Sequence, residues 1–326
     1  MWKEEKQKMI NTEDNKGLKP YRATVDTMGV KTGITNFRSI NILNRENRSG
    51  SEYFKAISYN KTKTSLEEGK IHIVVKVHNI FRTSEQEFYV ESFTETKEIM
   101  KNLYIELGVE EVKDIVIDRV DIAIDRPESF KACLKEIRYL YHLLTLDFAD
   151  KDLWYNTTFR KGKVNTFMAK GRDFELSFYD KELESNGAFE YKTRLEFRFK
   201  RLKGNDLEKV INKLLNKLNN LDENIPEVEQ QMIELLCEKY DSEDNPSFTL
   251  SEFARNEDSL IYNNNIMKAL YKYSGLKGNY NKWLEKCREN IRKREKNPNM
   301  LRFVSDSAIK KQIKGCQKAL KEYRKS

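Results

Sequence analysis

Polar and apolar side chains alternate along much of residues 21–203, and this is the period of β-strands. The segment Ile71–His78 is typical, because every second residue is an Ile or Val that would lie on one face. The segment 114–125 carries the strongest strand pattern in the chain. The alternation predicts strands over 71–78, 87–90, 114–125, 154–160, 164–169, 174–181 and 191–201.

Helical signals lie between and after these strands. Beyond Gly204 the apolar residues recur with a period of 3.6, which indicates helices up to the last residue. Helices are predicted over 95–107 behind the cap Thr94, from Pro127 to about Leu146, over 207–218, after Pro226 and after the capping box at 249–252. The expected fold is α+β, with a largely antiparallel central sheet, helices on one face, and an all-helical basic C-terminal region. We expect a mobile charged tail at 1–20, a sheet domain at 21–203 and the helical region at 204–326.

Three of the predicted strands carry ionisable groups along one face. Side chains alternate across a strand, so each polar set follows from the period alone. The sets are Arg119, Asp121 and Asp125 in the first strand; Glu175, Ser177, Tyr179 and Lys181 in the second; and Lys192, Arg194, Glu196, Arg198 and Lys200 in the third. A half-buried antiparallel sheet always has one polar face in water. The short acids, the tyrosine and the arginines instead favour a chemical site.

These residue types suggest phosphodiester chemistry. Asp121 and Glu196 could hold Mg²⁺ or Mn²⁺ through carboxylate oxygens if their strands are adjacent. Tyr179 could attack a phosphodiester as a nucleophile, with Lys181 stabilising the developing charge. Arg194 and Arg198 suit bidentate contacts to phosphate.

Composition and charge narrow the class of protein. The chain has 326 residues and a net charge of +8, yet residues 271–326 alone carry 17 Lys and Arg against 5 Asp and Glu, a net charge of +12. A basic segment of this density favours nucleic acid as the partner, although a solvated helix face is the alternative. Four scattered cysteines fit a reducing cytoplasm, and we expect neither a secretory signal nor a membrane segment. Three histidines without paired cysteines exclude a zinc finger.

Three motifs occur in a familiar order: Arg119–Asp125 (RVDIAID), Phe178–Glu184 (FYDKELE) and Thr193–Phe199 (TRLEFRF). Over about 70–203 the chain resembles the replication initiators of Gram-positive rolling-circle plasmids and the related nicking relaxases of conjugative transposons. Initiators of filamentous phages are similar.

The resemblance implies a metal-dependent, site-specific DNA endonuclease and strand transferase in the domain at 21–203. It would recognise a double-stranded origin, nick one strand, form a 5′-phosphotyrosine adduct and later rejoin the strand. Carried over by motif, Tyr179 is the nucleophile with Lys181 beside it, and Asp121 and Glu196 are ligands of Mg²⁺ or Mn²⁺ or their close support. Arg119, Arg194 and Arg198, with Lys293 and Arg294 in the tail, are the expected DNA and phosphate contacts. The implied partners are origin DNA, double- and single-stranded, and a host helicase and polymerase; a homodimer is compatible with the sequence.

Several alternatives stay open. The wider nickase superfamily binds its metal with two histidines separated by one residue, and the chain lacks that triplet; His72 and His78 share a polar strand face instead. The fallback nucleophiles are Tyr155 and Tyr191. Residues 266–292 fit either a helix-turn-helix or an ordinary helical hairpin. A non-catalytic DNA-binding regulator is the rival function, and a nuclease or RNA-binding protein using metal-activated water is a second.

Overall fold

A computed structural model defines the fold. It describes residues 20–33, 54–60, 70–77, 90, 92–106, 115–148, 158–161, 165–187, 189–204, 206–240, 267–268, 271–272, 278–292 and 306–326. Within these ranges, each element after Gly204 is a helix. No helix among the described residues has the length and apolar character needed to cross a membrane.

Eight strands form one sheet. In chain order they are β1 (Arg22–Gly33), β2 (Phe54–Asn60), β3 (Lys70–Lys76), β4 (Ile115–Arg126), β5 (Thr158–Lys161), β6 (Asn165–Lys170), β7 (Phe174–Asp180) and β8 (Thr193–Gly204). Their order across the sheet is β2-β3-β1-β4-β8-β7-β6-β5. The strand pairs with a defined register are all antiparallel. The predicted α+β class with a largely antiparallel sheet is confirmed.

The apolar face of the sheet follows the predicted alternation. Across β7, β8 and β4, Leu176 pairs with Phe197, which pairs with Ile122, and these three side chains are fully buried. The adjacent rows on this face, toward both ends of the strands, are also buried and apolar. Burial of aromatic and β-branched side chains along one pleated face supplies the main stabilisation of these strands.

Seven helices are described with bounds. They are α1 (Phe93–Glu106), α2 (Leu134–Phe148), α3 (Lys181–Glu184), α4 (Leu207–Glu223), α5 (Ile225–Tyr240), α6 (Tyr280–Arg292) and α7 (Asp306–Lys325). Most predicted helices appear at the expected places. The predicted strands at 87–89 and 154–157 and the capping box at 249–252 lie outside the described residues.

Three local predictions were wrong. The cap of α1 is Ser92 and not Thr94, since the Ser92 Oγ accepts the backbone N–H of Glu95 at 3.0 Å. The helix expected from Pro127 begins only at Leu134, and bends and turns fill residues 127–133. Lys181, expected at the end of a strand, is the first residue of α3.

The chain forms two compact units. The first comprises residues 1–129, 159–216 and 315–326, and the second comprises 130–158 and 217–314. The sheet therefore shares its unit with the beginning of α4 and the end of α7, which the sequence assigned to a separate helical region. The functional domains expected at 21–203 and 204–326 stay predictions.

The end of α7 packs within the first unit against the start of β1. A Cβ at Gly315 would lie 2.5 Å from the Tyr21 ring, so the helix approaches that ring as closely as a glycine allows. Farther along, the Tyr323 hydroxyl accepts the backbone N–H of Val25 at 3.4 Å and also bonds the Thr96 hydroxyl. Through these contacts, residues that are far apart in the sequence become part of one core.

In the second unit, α2 packs against α5. The Tyr139 hydroxyl donates a hydrogen bond to the Glu229 carboxylate, and both residues are buried. This bond satisfies a carboxylate that would otherwise be costly to bury.

Candidate active site

The three polar strand faces lie side by side, because β4, β8 and β7 are neighbours. One row across the sheet joins Glu175, Arg198 and Asp121, and the row toward the strand ends joins Tyr179, Arg194 and Asp125. Ser177 and Glu196 occupy the row between them. The period placed each residue on this face, and the pairing of the strands brings the sets together.

A β-bulge in β1 adds an acid that the sequence interpretation did not assign. Val25 pairs with Ile122 and Thr27 with Asp121, so Asp26 is an extra residue between two ladder positions. Bulges re-aim a side chain, and here the Asp26 carboxylate accepts a bond from Arg194 Nη1 at 2.8 Å. An aspartate inside an otherwise strand-like segment was the only signal of this residue in the sequence.

Arg198 is surrounded by carboxylates. Its Nε donates to Asp121 Oδ2 at 3.0 Å and its Nη2 to Glu196 Oε1 at 3.0 Å, while Nη1 pairs with Glu175. Lys200 donates to the other Glu175 oxygen at 2.8 Å. Burial tends to raise the pKa of Glu175, but the bond from Lys200 and the charge of Arg198 outweigh it and hold this pKa below its usual value.

Arg194 is held even more tightly. Its Nε and Nη2 donate to the two oxygens of Asp125 at 2.6 and 2.9 Å, and its remaining nitrogen reaches Asp26. Asp125 is fully buried and Arg194 is 4% exposed. The Phe189 ring lies 5.5 Å from the guanidinium carbon and covers it. This guanidinium is therefore enclosed by protein groups.

Tyr179 is hydrogen bonded to a buried glutamate. The hydroxyl donates to Glu196 Oε2 at 3.3 Å. Burial, with the nearby charges of Asp26 and Asp121, raises the pKa of Glu196. Burial also raises the pKa of Tyr179 well above 10, an effect that Arg194 opposes and Glu196 reinforces. A phenol that keeps its proton this firmly needs a proton acceptor before it can attack, and Glu196 is in contact with it.

Lys181 is close to the same tyrosine. Its ammonium lies 5.9 Å from the centre of the Tyr179 ring and 5.1 Å from that of Phe189, and it pairs with Glu184. The short helix α3 is capped by Asp180, whose side chain accepts the N–H of Leu183. The turn that follows β7 thus brings a cation next to the tyrosine.

The three arginines of the sheet that were predicted to contact phosphate are bonded to carboxylates instead. Arg119 donates twice to Asp121, at 2.8 and 2.5 Å, and Arg194 and Arg198 are likewise occupied by acids. The period assigned these side chains to the right face but contained no information about their partners. Only Arg119 and Arg198 keep partial exposure, with 22% and 23% of the side chain accessible.

The predicted metal pair does not fit a divalent ion in this arrangement. Asp121 and Glu196 are on adjacent strands, as the prediction required. However, both oxygens of Asp121 accept bonds from guanidinium groups, and those of Glu196 accept from Arg198 and Tyr179. In the described part of the chain, no group of three His, Cys, Asp or Glu side chains is arranged to hold a metal ion.

Other predicted residues lie elsewhere. Lys293, Arg294, Tyr155 and His78 are outside the described residues. His72 is in β3, where its backbone pairs with Lys31. Tyr191 is 4% exposed and contacts Phe189, as expected for a core residue.

Comparison with known proteins adds little. No family model matches the chain, and no curated protein matches it significantly. A rolling circle replication initiator protein from Geobacillus stearothermophilus is 12% identical over 60% of this chain and 78% of its own, with a TM-score of 0.29. The regulatory subunit of aspartate kinase from Thermus flavus is 10% identical over 57% of this chain and 90% of its own, with a TM-score of 0.17. A structure of aspartokinase alpha and beta subunits is 6% identical over 56% of this chain and 88% of its own, with a TM-score of 0.17. At such scores these likenesses carry no argument about fold or activity.

Proposed function

We propose that this protein initiates rolling-circle DNA replication by nicking one strand at an origin through Tyr179. The observation that carries the proposal is the hydrogen bond from the Tyr179 hydroxyl to Glu196, at the end of a strand and beside Lys181. A nucleophile, a proton acceptor and a cation within one small region are the parts that tyrosine transesterification needs.

The proposed step conserves atoms and charge. The Tyr179 oxygen attacks the phosphorus of a phosphodiester while Glu196 accepts the phenolic proton. The bond from phosphorus to the 3′ oxygen breaks, and that oxygen leaves as a 3′-hydroxyl after taking a proton from water, while Glu196 returns the phenolic proton to the solvent. The 5′ phosphate remains joined to Tyr179, and attack by a 3′-hydroxyl on this adduct restores the strand.

The surroundings of Glu196 and Lys181 support their proposed roles as proton acceptor and stabilising cation. The raised pKa of Glu196 makes its carboxylate a better proton acceptor than an exposed glutamate. Lys181 can offset negative charge that develops near the tyrosine. The proposed step uses protein groups alone; a requirement for Mg²⁺ or Mn²⁺, a helicase and polymerase partner, and a cytoplasmic location stay predictions from the sequence.

One observation favours the alternative, a DNA-binding regulator without catalysis. All three nitrogens of both Arg194 and Arg198 are directed at carboxylates, as in a structural ion-pair network. In that case the polar face would stabilise the sheet, and the basic segment 271–326 would bind DNA.

Covalent trapping separates these functions. We would incubate the full chain with single-stranded oligonucleotides that tile the DNA beside its gene, with Mn²⁺ or EDTA, and separate the products on a denaturing gel. A 3′ label should move with the protein, because the adduct forms on the 5′ phosphate of the downstream fragment. A 5′ label should appear in a shorter strand with a free 3′-hydroxyl.

Tyr179→Phe should abolish the adduct and retain DNA binding, since it removes only the attacking oxygen. Tyr191→Phe is the matched control and should form the adduct at the wild-type rate. An adduct that survives in Tyr179→Phe contradicts the assignment. Salt-sensitive binding without any adduct supports the regulator, and cleavage without an adduct supports a nuclease that activates water.

Glu196→Gln should slow adduct formation by about 10²- to 10⁴-fold, the usual contribution of a general base. The wild-type rate should rise with pH through the raised pKa of Glu196 and then level off, because only the carboxylate accepts a proton. Glu182→Gln, at a largely exposed acid, should change neither the rate nor its pH profile. A rate that does not rise with pH anywhere above the ordinary pKa of a glutamate would remove Glu196 from the mechanism.

A further inference from the structure

Three aromatic side chains form a cluster in the second unit, where α6 begins. The centre of the Tyr271 ring lies 5.5 Å from that of Tyr280 and 5.3 Å from that of Trp283, and the last two centres are 6.1 Å apart. These distances are those of aromatic rings in contact. The three residues are called the aromatic cluster below.

The aromatic cluster lies at the surface of its unit. Each of its three residues keeps part of its surface accessible, whereas Leu284, the residue after Trp283, is 4% exposed. The side chain of the exposed Asn279 caps α6 and accepts the backbone N–H groups of Asn281 at 2.8 Å and Lys282 at 3.3 Å. The cap fixes the first turn of the helix, so that the rings carried by α6 are held in place before any ligand arrives.

Helix α6 places two lysines beside the rings. Successive residues of an α-helix are about 100° apart, so Trp283 lies about 60° round the helix from Tyr280, and Lys286 about 60° farther in the same direction. Lys282 follows about 40° beyond Lys286. Both lysines are exposed. A strip of positive charge therefore runs along the solvent side of the two rings.

These lysines are available to an anion. In the described part of the chain, Lys282 and Lys286 form no ion pair, unlike the arginines of the sheet. The exposed acids of the same helix, Glu285 and Glu289, lie beyond the lysines on the side away from Trp283. The segment 271–326 around them has a net charge of +12, which favours a polyanion as the partner.

Accessible rings next to unpaired cations suit one kind of ligand. Bases of a single strand stack on aromatic side chains while the phosphates between them contact basic residues. A duplex stacks its bases on one another and offers no base face to a ring. An apolar protein surface is a poor match, because the exposed positions beside the rings are Asn279, Lys282 and Lys286.

We propose that the aromatic cluster, with Lys282 and Lys286, binds an unpaired base of single-stranded DNA. The base would pack on the accessible side of the cluster, at Trp283, and the phosphates on either side of it would contact the two lysines. This site belongs to a different unit from Tyr179, and its binding of DNA does not depend on nicking by that tyrosine.

The probe is a fluorescein-labelled 12-mer of dT, compared with a 12-mer of abasic residues that has the same number of phosphates. Affinities are measured by fluorescence anisotropy with the full-length Tyr179→Phe protein, so that no cleavage intervenes. This protein should bind the dT 12-mer about 5- to 150-fold more tightly than the abasic strand, as expected for one stacked base. Equal affinities would overturn the proposal, because phosphate contacts would then account for all binding.

Two substitutions of one residue test where the base binds. Trp283→Phe keeps an aromatic ring and should retain most of the preference for dT, whereas Trp283→Leu fills the same place without a ring and should remove it. Circular dichroism verifies that both variants fold. If Trp283→Leu does not fold, Tyr280→Phe and Tyr280→Leu form the equivalent pair. A folded leucine variant with an unchanged preference for dT would overturn the proposal.

Tryptophan fluorescence supplies a second readout. The chain has three tryptophans, Trp2, Trp154 and Trp283, and a base stacked on an indole ring quenches its emission. Unlabelled dT 12-mer should quench the emission of the Tyr179→Phe protein, and Trp283→Phe should abolish this quenching. A 12-base-pair duplex should not quench. Quenching that persists in Trp283→Phe, or that a duplex produces equally, would overturn the proposal.

The outcome is separable from that of nicking. A preference for dT that depends on Trp283, in a protein whose wild type forms no adduct, would retain this site and reject the proposed function. Adduct formation without any preference for dT would do the reverse.

Discussion

Arg194 is the residue on which the buried part of the polar face depends. Its guanidinium satisfies both oxygens of Asp125, a carboxylate with no exposed surface. Replacing an entire buried ion pair by apolar groups often costs little, but removing one partner leaves an uncompensated charge in the interior. The side chain therefore matters for stability whether or not the site is catalytic.

Arg194→Leu should lower the free energy of unfolding by about 3–5 kcal/mol, because Asp125 loses its partner. Chemical denaturation followed by circular dichroism measures the change. Lys209→Ala, which removes an exposed ion pair with Asp206, is the control and should change stability by at most about 0.5 kcal/mol. If Arg194→Leu lowers the free energy of unfolding by less than about 1 kcal/mol, burial of the Asp125 carboxylate does not depend on its ion pair with Arg194.

At the residue scale, the sequence predicted which face each side chain occupies and little about its partner. The period of two placed Asp121, Tyr179, Arg194, Glu196 and Arg198 correctly, because a strand leaves only two faces. Hydrogen-bond partners depend on strand order and on the bulge at Asp26. Neither is encoded in a local pattern.

At the scale of elements, strong strands were predicted well and helix starts were not. The strand predicted over 114–125 is observed as Ile115–Arg126. Pro127 is a good first residue of a helix, yet a bend forms there, where the Glu128 carbonyl accepts a bond from the Thr193 hydroxyl and its carboxylate one from Tyr21. Contacts with residues remote in sequence overrode a local preference.

The glycine in α7 offers a test in which local and tertiary effects have opposite signs. Alanine is favoured over glycine in a helix by about 1 kcal/mol. A Cβ at Gly315 would nevertheless lie 2.5 and 2.6 Å from two carbons of the Tyr21 ring. Gly315→Ala should therefore destabilise the protein by about 1–3 kcal/mol, as overpacking does.

Thermal and chemical unfolding measure this change. Gly204→Ala, where an added Cβ meets no atom within 4 Å, is the control and should be close to neutral. The double variant Tyr21→Leu, Gly315→Ala should recover part of the loss, since leucine lacks the obstructing ring. A stabilising Gly315→Ala would show that α7 does not approach Tyr21 as described.

At the scale of the whole molecule, charge is distributed very unevenly. The segment 271–326 has a net charge of +12 in a protein of net charge +8. Two of its lysines, Lys282 and Lys286, lie one turn apart in α6 and are exposed. Both are therefore candidates for phosphate contacts if this segment binds DNA as proposed.

Affinity for DNA should fall steeply with salt, by about 0.9 logarithmic units per logarithmic unit of salt for each phosphate contact. Replacing Lys282 and Lys286 by glutamine should reduce the slope by about 1.8 if both contact phosphate. Lys209→Gln, an exposed lysine outside this segment, should leave the slope unchanged. Titrations at several salt concentrations measure it, and a flat profile would exclude the segment from DNA binding.

The compact units divide the chain elsewhere than at the change of period. Composition and period change together near Gly204, which suggested a boundary there. The end of α7 instead belongs to the unit of the sheet. Pairings such as that of Gly315 with Tyr21 depend on shape complementarity between distant segments, for which a single sequence contains no local signal.

The bond between Val25 and Tyr323 spans 298 residues, and this distance has a consequence during protein synthesis. A ribosome that adds about 5–20 residues per second needs roughly 15–60 s between the two. For that time β1 has emerged without the helix that covers its beginning, and contacts so distant in sequence also form slowly once available. The nascent chain thus exposes an incomplete sheet until α7 has been synthesised, and we expect its yield in cells to depend on chaperones that protect such edges.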